Sequence, residues 1–341
     1  MPISLPANGT YLDSLQLHRL EQAFRAWTEA SPRRDVALSR RRILLIFLLI
    51  RYTGAKLNEV LSLNPFEDID PKGRSVRLKG ADDGGNALRS IQVSEELSRE
   101  LRRALDDPEF TNSLQNHFSI DPGFVRRKFY ERAEECGLDK RMGSPEMLRQ
   151  ARAVELMRGN LPLPAVQRML GQSTVHQTAS RVPFSAEELQ QVTRLFMDRE
   201  SDRRTSARNA FYGKIAVIEQ GDIQSRVELV TVDGHALTTL ITNNSRERLG
   251  LCVGKLATAE IKAPYVLLQR GSRPRASADN AFEGAVVRIA EGRVSTEYVI
   301  RISEAAELCA VVSAESGTRL DLRVGDHAWA MFNCFAVVLH V

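Results

Sequence analysis

Two stretches early in the chain, residues 13–30 and 38–52, carry apolar side chains at helical spacing. A third helix is expected from Ser185 to Glu200, "SAEELQQVTRLFMDRE", which opens with a capping box, Ser185 to Glu188. One interruption stands out in an otherwise helical first 200 residues. "SVRLKGADDGGNALRSIQVS" holds two β-prone runs around Asp82, Asp83, Gly84 and Gly85, and predicts a hairpin. "ESDRRTS", Glu200 to Ser206, is polar without apolar periodicity and marks a domain boundary. Beyond it the pattern changes to short, β-branched, alternating strands.

This second half repeats itself. "SARNAFYGKIAVIEQG" at Ser206 returns as "SADNAFEGAVVRIAEG" at Ser277, and "SRERLGLCVGKLATAEIKAPYVLL" returns as "SGTRLDLRVGDHAWAMFNCFAVVL". The offset stays at 71 residues without a gap, and about 19 of some 64 aligned positions are identical. Two copies of one small β unit therefore follow each other, joined by "RGSRPRA".

Composition narrows the class without naming a chemistry. The 341 residues suffice for two or three globular domains, and runs such as "ILLIFLLI" (Ile43 to Ile50) fall far short of a membrane span of roughly 20 apolar residues. The first 14 residues show no basic start followed by an apolar core, so no signal peptide is expected. Cys136, Cys252, Cys309 and Cys334 are scattered, without metal-type spacing, as expected of reduced thiols in a cytoplasmic protein. Residues 206–341 carry 15 basic and 15 acidic side chains, so the net excess of +4 lies wholly in residues 1–205. It clusters at Arg33–Arg34, Arg40–Arg41–Arg42 and Arg126–Arg127–Lys128, positions suited either to phosphates or to a solvated helix face.

In the first repeat, Ser206, Asn209, Thr242 and Ser245 supply hydrogen-bond donors, while Arg208 and Lys262 supply positive charge. Such a set fits a small tetrahedral dianion stripped of water; it fits ordinary turn and edge positions of a small barrel equally well. The "SARN" start, the "TNNS" segment, the "LGLCVGK" turn and the "IKA" string resemble the molybdate/tungstate-binding Mop (TOBE) domain, an OB-like β-barrel. The resemblance covers both copies and implies an oxyanion held between units of adjacent protomers. It implies ligands at Ser206, Arg208, Asn209, Thr242, Ser245, Lys262 and the backbone of Ala263; Pro264 stands where the family often has a hydroxyl. In the second copy Arg208 becomes Asp279, Lys262 becomes Asn333 and Thr242 becomes Ser313. An aspartate at the counter-charge position repels an anion, so the first repeat is expected to bind and the second to complete the assembly.

The N-terminal half resembles a different family. "RRILLIFLLIRYTGAKLNEVLSLNPFEDID", the hairpin, and "SPEMLRQARAVELMRGNLPLPAVQRMLGQSTVHQTASRV" occur in the order found in the tyrosine-recombinase (phage integrase) catalytic domain, over roughly residues 10–182. That family uses two arginines and a histidine to stabilise charge on the scissile phosphate, a lysine as proton donor and a tyrosine as nucleophile. Here Lys79 and Arg149 match, Lys56 replaces an arginine, and Glu146 and Gln172 replace histidines. The tyrosine position falls on Arg181, and no tyrosine lies between Tyr130 and Tyr212; the nearby His176 reads as a surface or turn residue. Without a nucleophile no strand cleavage is expected, and the chain is read as a non-enzyme with no catalytic residues. Lys56, Lys79, Arg149 and Arg181 remain phosphate-contact candidates, joined by Arg40, Arg41, Arg42, Arg126, Arg127, Lys128, Arg152 and Arg168.

The expected architecture is α+β and multidomain. A mainly α integrase-like domain with a small hairpin spans residues 1–182, a helical linker 183–205, and two tandem OB-like barrels 206–270 and 277–341. The combination is similar to tungstate-responsive transcriptional regulators. It implies a cytoplasmic protein that binds double-stranded DNA, takes tungstate or molybdate as regulatory ligand, and forms a homodimer or higher even oligomer through the barrels. A molybdate/tungstate storage protein is the alternative, and an active recombinase a distant one.

Overall fold

The computed structural model describes residues 11–79, 88–114, 117–118, 120–171, 184–202, 207–304 and 306–341. Contacts divide the chain into two compact units, residues 1–155 with 166–175, and residues 156–165 with 176–341. The architecture is α+β and multidomain: a helical region with a small sheet, then β-rich domains with curled sheets.

The first unit is built from α1 (Ser14–Glu29), α2 (Arg34–Thr53), α3 (Leu57–Leu61) and α4 (Pro65–Asp68). Then come β1 (Ile69–Asp70), β2 (Ser75–Lys79), β3 (Leu88–Gln92), α5 (Glu95–Leu105), α6 (Pro108–Leu114), α7 (Pro122–Glu135), α8 (Pro145–Arg158) and α9 (Leu163–Leu170). The end of α8 and the start of α9 are grouped with the second unit.

Local sequence explains the boundaries. Asp13 caps α1 by accepting from the Gln16 N–H, while the Gln16 side chain accepts from the Asp13 N–H. The run Ile43–Ile50 is buried on every side, which makes α2 a central helix rather than an amphipathic surface one. Phe47 of α2 stacks on Phe24 of α1 at 4.2 Å, and Phe129 of α7 meets Phe24 edge-on at 5.1 Å. α2 stops at Gly54, whose φ of 67° favours glycine and whose absent Cβ leaves room for the Leu170 side chain. The expected hairpin is present as β2 and β3, paired from Ser75↔Gln92 to Lys79↔Leu88. Its turn, with Asp82, Asp83, Gly84 and Gly85, lies outside the described residues.

The second unit holds α10 (Ala186–Asp202) and the two repeats. The first repeat runs through β4 (Asn209–Gln220), β5 (Gln224–Thr231), β6 (Ala236–Thr242), α11 (Asn243–Arg248), β7 (Leu256–Ile261) and β8 (Leu267–Arg270). The second runs through β9 (Asn280–Glu291), β10 (Ser295–Arg301), β11 (Glu307–Ser313), α12 (Ala314–Leu320), β12 (His327–Phe332) and β13 (Val337–His340). The expected capping box of α10 forms, with Ser185 N–H bonded to Glu188 Oε2 and Glu188 N–H to Ser185 Oγ. α10 is more than a linker: Val192, Phe196 and Met197 are buried, and Arg199 bonds Glu260 of β7 at 2.6 Å.

Both repeats build the same five-stranded pattern, yet each completes the other. β13, the last strand of the second repeat, pairs with β7 of the first; β8, the last strand of the first, pairs with β12 of the second. The antiparallel partners Val337↔Ile261 and Met331↔Leu267 record this reciprocal exchange. The repeats share one core, in which Phe211 stacks on Phe282 at 6.5 Å. Bulges recur at equivalent residues, where Ala216 and Val287 drop out of the strand register. Gly213 and Gly284 also correspond, because a Cβ at either would run into the carbonyl of the neighbouring strand, at Val230 or Arg301.

Candidate functional site

The expected oxyanion ligands fall into two groups within the chain. Asn209 pairs with Ile261 at the β4–β7 junction, which brings Arg208 beside Lys262 and Ala263. Thr242 and Ser245 form the second group at the start of α11: Thr242 Oγ1 donates to Ser245 Oγ at 2.9 Å and accepts the Ser245 N–H at 3.1 Å. Thr242 pairs with Gln224 at the far end of β5, next to Ser225, which pairs with Gln220 at the end of β4. The cationic group stands at the other end of β4, about 35 Å away along the strand contour. Strand register alone therefore does not assemble the two groups at one place. Ser206 lies outside the described residues.

Within the cationic group, Lys262 is exposed and has no ion-pair partner among the described residues. Arg208 reaches Glu297 of β10 at 3.0 Å, and Glu297 also holds Arg288 at 2.7 Å. Ala263 is buried at the start of a single 3-10 turn, Ala263–Tyr265. Asn209 is used differently from the expectation: it is buried, and its side chain accepts the Cys309 N–H at 2.7 Å and donates to the Cys309 carbonyl at 2.9 Å. Asn280, its counterpart, makes the same two bonds to Thr238, at 2.8 and 2.9 Å. These two amides clasp the repeats together. A third asparagine, Asn160 at φ 59°, donates to the Ala210 and Glu307 carbonyls and accepts the Glu307 N–H.

The second repeat keeps the hydroxyl group and changes the cationic one. Ser313 Oγ donates to Ser316 Oγ at 3.0 Å and accepts the Ser316 N–H at 3.1 Å, as Thr242 and Ser245 do. Asp279 stands in the place of Arg208, and its Oδ2 accepts the Cys334 N–H at 2.9 Å. The Cys334 bonds hold the Asp279 carboxyl below the usual carboxylate range. Asn333, in the place of Lys262, accepts the Phe335 N–H at 3.0 Å and so caps its own turn.

In the first unit, Arg149, one of the expected phosphate contacts, meets the C-terminal end of α9 together with Arg89, which the sequence does not single out. Arg149 Nη2 donates to the Leu170 carbonyl at 2.5 Å, and Arg89 Nε donates to the Met169 carbonyl at 3.2 Å. Arg89 also forms a two-pronged bridge to the buried Glu59, at 2.6 and 2.7 Å, while Glu59 Oε2 accepts the Lys56 N–H. Glu59 and Arg89 thus fix the loop carrying Lys56, a role without any composition signal in the sequence. Glu146 is exposed one helical turn before Arg149.

Several arginines expected at phosphates have protein partners instead. Arg40 bonds the Trp27 carbonyl and lies 4.8 Å over its ring; Arg41 pairs with Asp107; Arg42 bonds the Phe118 carbonyl. Arg152 is fully buried, bonded to the Tyr52 carbonyl and facing Glu155, and is removed from the phosphate-contact set. Lys128 pairs with Glu131 at 2.7 Å, whereas Arg126, Arg127 and Lys79 are exposed. Arg181, Gln172 and His176 lie outside the described residues. Among the described residues no cluster of histidine, cysteine and carboxylate side chains fits a metal ion, and no helix is long and apolar enough to cross a membrane.

The chain is similar to known proteins of two kinds. Over 137 residues, 40% of this chain, it is 36% identical to the "Transcriptional regulator ModE" of Yersinia pestis, covering 52% of that protein. The chain thus spans about half the length of the curated relatives it matches. A solved structure of the cytoplasmic molybdate-binding protein ModG, with molybdate bound, is 32% identical over 40% of this chain and 99% of its own, at a TM-score of 0.39. The XerH site-specific recombinase bound to its difH substrate is similar over 55% of this chain and 54% of its own, at 18% identity and a TM-score of 0.42. The family model of the TOBE domain matches residues 205–268 and 276–339, so both repeats are TOBE domains.

Proposed function

We propose that this chain is a DNA-binding transcriptional regulator whose operator affinity depends on bound molybdate or tungstate. The observation that carries the reading is the division of the first repeat's ligands into a cationic group, Arg208, Lys262 and Ala263, and a hydroxyl group, Thr242 and Ser245, at opposite ends of its sheet. A tetrahedral dianion needs both kinds of donor once its water is removed. A second copy of the chain brings a hydroxyl group to the cationic group of the first, so the anion is held between protomers; Ser206 is a further ligand candidate from the sequence alone. Asn209 supports that site from behind through its clasp on Cys309. A regulator named ModE and a molybdenum-pterin-binding protein named MopA, each matched over 137 residues, support this ligand class.

Lys56, Lys79, Arg126, Arg127 and Arg149 of the N-terminal unit are the proposed phosphate contacts, with Lys128 at their edge and Arg181, outside the described residues, added from the sequence alone. Arg40, Arg41 and Arg42 hold helices together and contribute to DNA binding only through their field. The chain does not cleave DNA: no tyrosine stands between Tyr130 and Tyr212, and Glu146 sits beside Arg149 where a phosphate-stabilising group is needed. Anion binding between two copies favours one geometry of the pair, which sets the spacing of two DNA-binding heads. The ligand shifts that equilibrium only by its differential affinity for the two geometries.

A gel-shift on promoters of oxyanion-transport genes, with and without each anion, tests the reading. A sequence-specific complex that strengthens or weakens with anion supports it. Anion binding without any specific shift turns the assignment to a storage protein, and a covalent DNA adduct on a suicide substrate turns it to a recombinase.

A further inference from the structure

We infer that Asp279 is a tethered stand-in for the oxyanion, closing in the second repeat the site that the first repeat leaves open. The inference rests on the oxyanion reading of the first repeat. At the offset of 71 residues, Arg208 corresponds to Asp279, Lys262 to Asn333 and Ala263 to Cys334. Ala263 and Cys334 are both buried, each at the first position of a 3-10 turn that follows a strand. In the second repeat the Cys334 N–H is taken by Asp279 Oδ2 at 2.9 Å. In the first repeat the residue in that place is an arginine, which has donors and no acceptor, and Lys262 makes no capping bond to its turn. One repeat thus presents a backbone donor beside two cations. The other fills the same donor with its own carboxylate oxygen.

Charge points the same way. The group Arg208 and Lys262 carries two positive charges, whereas Asp279 and Asn333 carry one negative charge. A dianion entering the second repeat would compete with a covalently attached carboxylate for one N–H and meet its repulsion at close range. Asn333 does not compensate, because it is a neutral amide in place of the Lys262 cation: its Oδ1 accepts the Phe335 N–H and its Nδ2 donates to the Ser277 carbonyl at 3.5 Å. The Cys334 thiol, raised to about 11 mainly by burial, stays protonated beside the carboxylate and adds no negative charge. What has been exchanged is the cationic group alone, since the Ser313–Ser316 pair reproduces the Thr242–Ser245 pair within 0.1 Å.

The charge exchange also extends across the repeat boundary. Arg208 pairs with Glu297 of the second repeat, and the residue corresponding to Glu297 in the first repeat is Arg226, whose charge acts on Asp279. Both signs are inverted together, so the reversal at position 279 is matched by its surroundings. The chain accordingly takes one oxyanion, not two, and a pair of chains takes two.

Titration calorimetry with tungstate and with molybdate on the full chain tests this. The wild-type chain is expected to bind one anion, Arg208→Ala/Lys262→Ala none, and Asp279→Arg/Asn333→Lys two. Asp279→Asn keeps an acceptor for the Cys334 N–H and should remain at one. Two anions on the wild-type chain, or saturable binding surviving in Arg208→Ala/Lys262→Ala, overturns the inference without needing any Asp279 variant to fold. So does a single anion on an Asp279→Arg/Asn333→Lys chain that melts like wild type. Absence of binding to the wild-type chain instead defeats the underlying oxyanion reading.

Discussion

At the scale of single residues, the arginine of the proposed anion site is held by a protein carboxylate. Glu297 bonds Arg208 at 3.0 Å, so an arriving anion must displace it before the guanidinium is available. Because the Arg208 end of the pair is largely exposed, its contribution is held to about 1 kcal/mol. Glu297→Gln is therefore expected to tighten anion binding two- to fivefold in calorimetry. Lys262→Ala removes an unopposed cation and should weaken it by at least tenfold, since a hydrogen bond to a charged group is worth about 1.5–3 kcal/mol. A second residue-scale effect concerns pH. Burial raises the Asp233 carboxyl to about 6, above its ordinary value near 3.9. The native state then holds a proton that the unfolded chain has released, so this contribution to stability is complete below about pH 4 and is lost as pH rises through 6. Asp233→Asn removes the penalty and should stabilise the second unit by about 1–2 kcal/mol at pH 8, with little change at pH 4, in urea melts. His235 in the same turn is pushed down by burial and acts in the opposite sense, its contribution falling away as pH drops below about 6.5.

At the scale of elements, the reciprocal strand exchange and the asparagine clasps make the two repeats one folding unit. Asn209→Ala or Asn280→Ala breaks two bonds and leaves a buried N–H and carbonyl unsatisfied, which should cost about 2–3 kcal/mol in denaturant melts. Because β13 pairs with β7, deleting residues 337–341 should perturb amide resonances of Thr258–Ile261 in the first repeat, more than those of β12.

These elements also show how far sequence reasoning reached. Helices α1 and α2, the hairpin, the Ser185 capping box and the two β units were legible, because each depends on local periodicity or on a visible repeat. The strand exchange was not, since two copies of one strand pattern give no sequence signal for which copy a terminal strand joins. Asn209 illustrates the same limit: its type suits a ligand, while its buried clasp on Cys309 depends on a strand 100 positions away. Arg40–Arg42 read as a basic cluster, yet the partners that engage them, Trp27, Asp107 and Phe118, are set by tertiary packing. Arg89 and Glu59 carried no distinguishing composition or spacing, and only the fold pairs them.

At the scale of the whole molecule, the proposal joins a DNA-gripping unit without a nucleophile to a tandem TOBE unit with one open anion site. Such a chain is useful as a regulator only if anion occupancy changes DNA affinity. The decisive measurement is a fluorescence-anisotropy titration of the chain's own operator at fixed salt, with and without saturating tungstate or molybdate, for wild type and Arg208→Ala/Lys262→Ala. Anion is expected to change the wild-type Kd for operator by at least tenfold, in either direction, and to leave the Kd of Arg208→Ala/Lys262→Ala within twofold of its anion-free value. Equal wild-type affinities with and without an anion that calorimetry shows to be bound would contradict it.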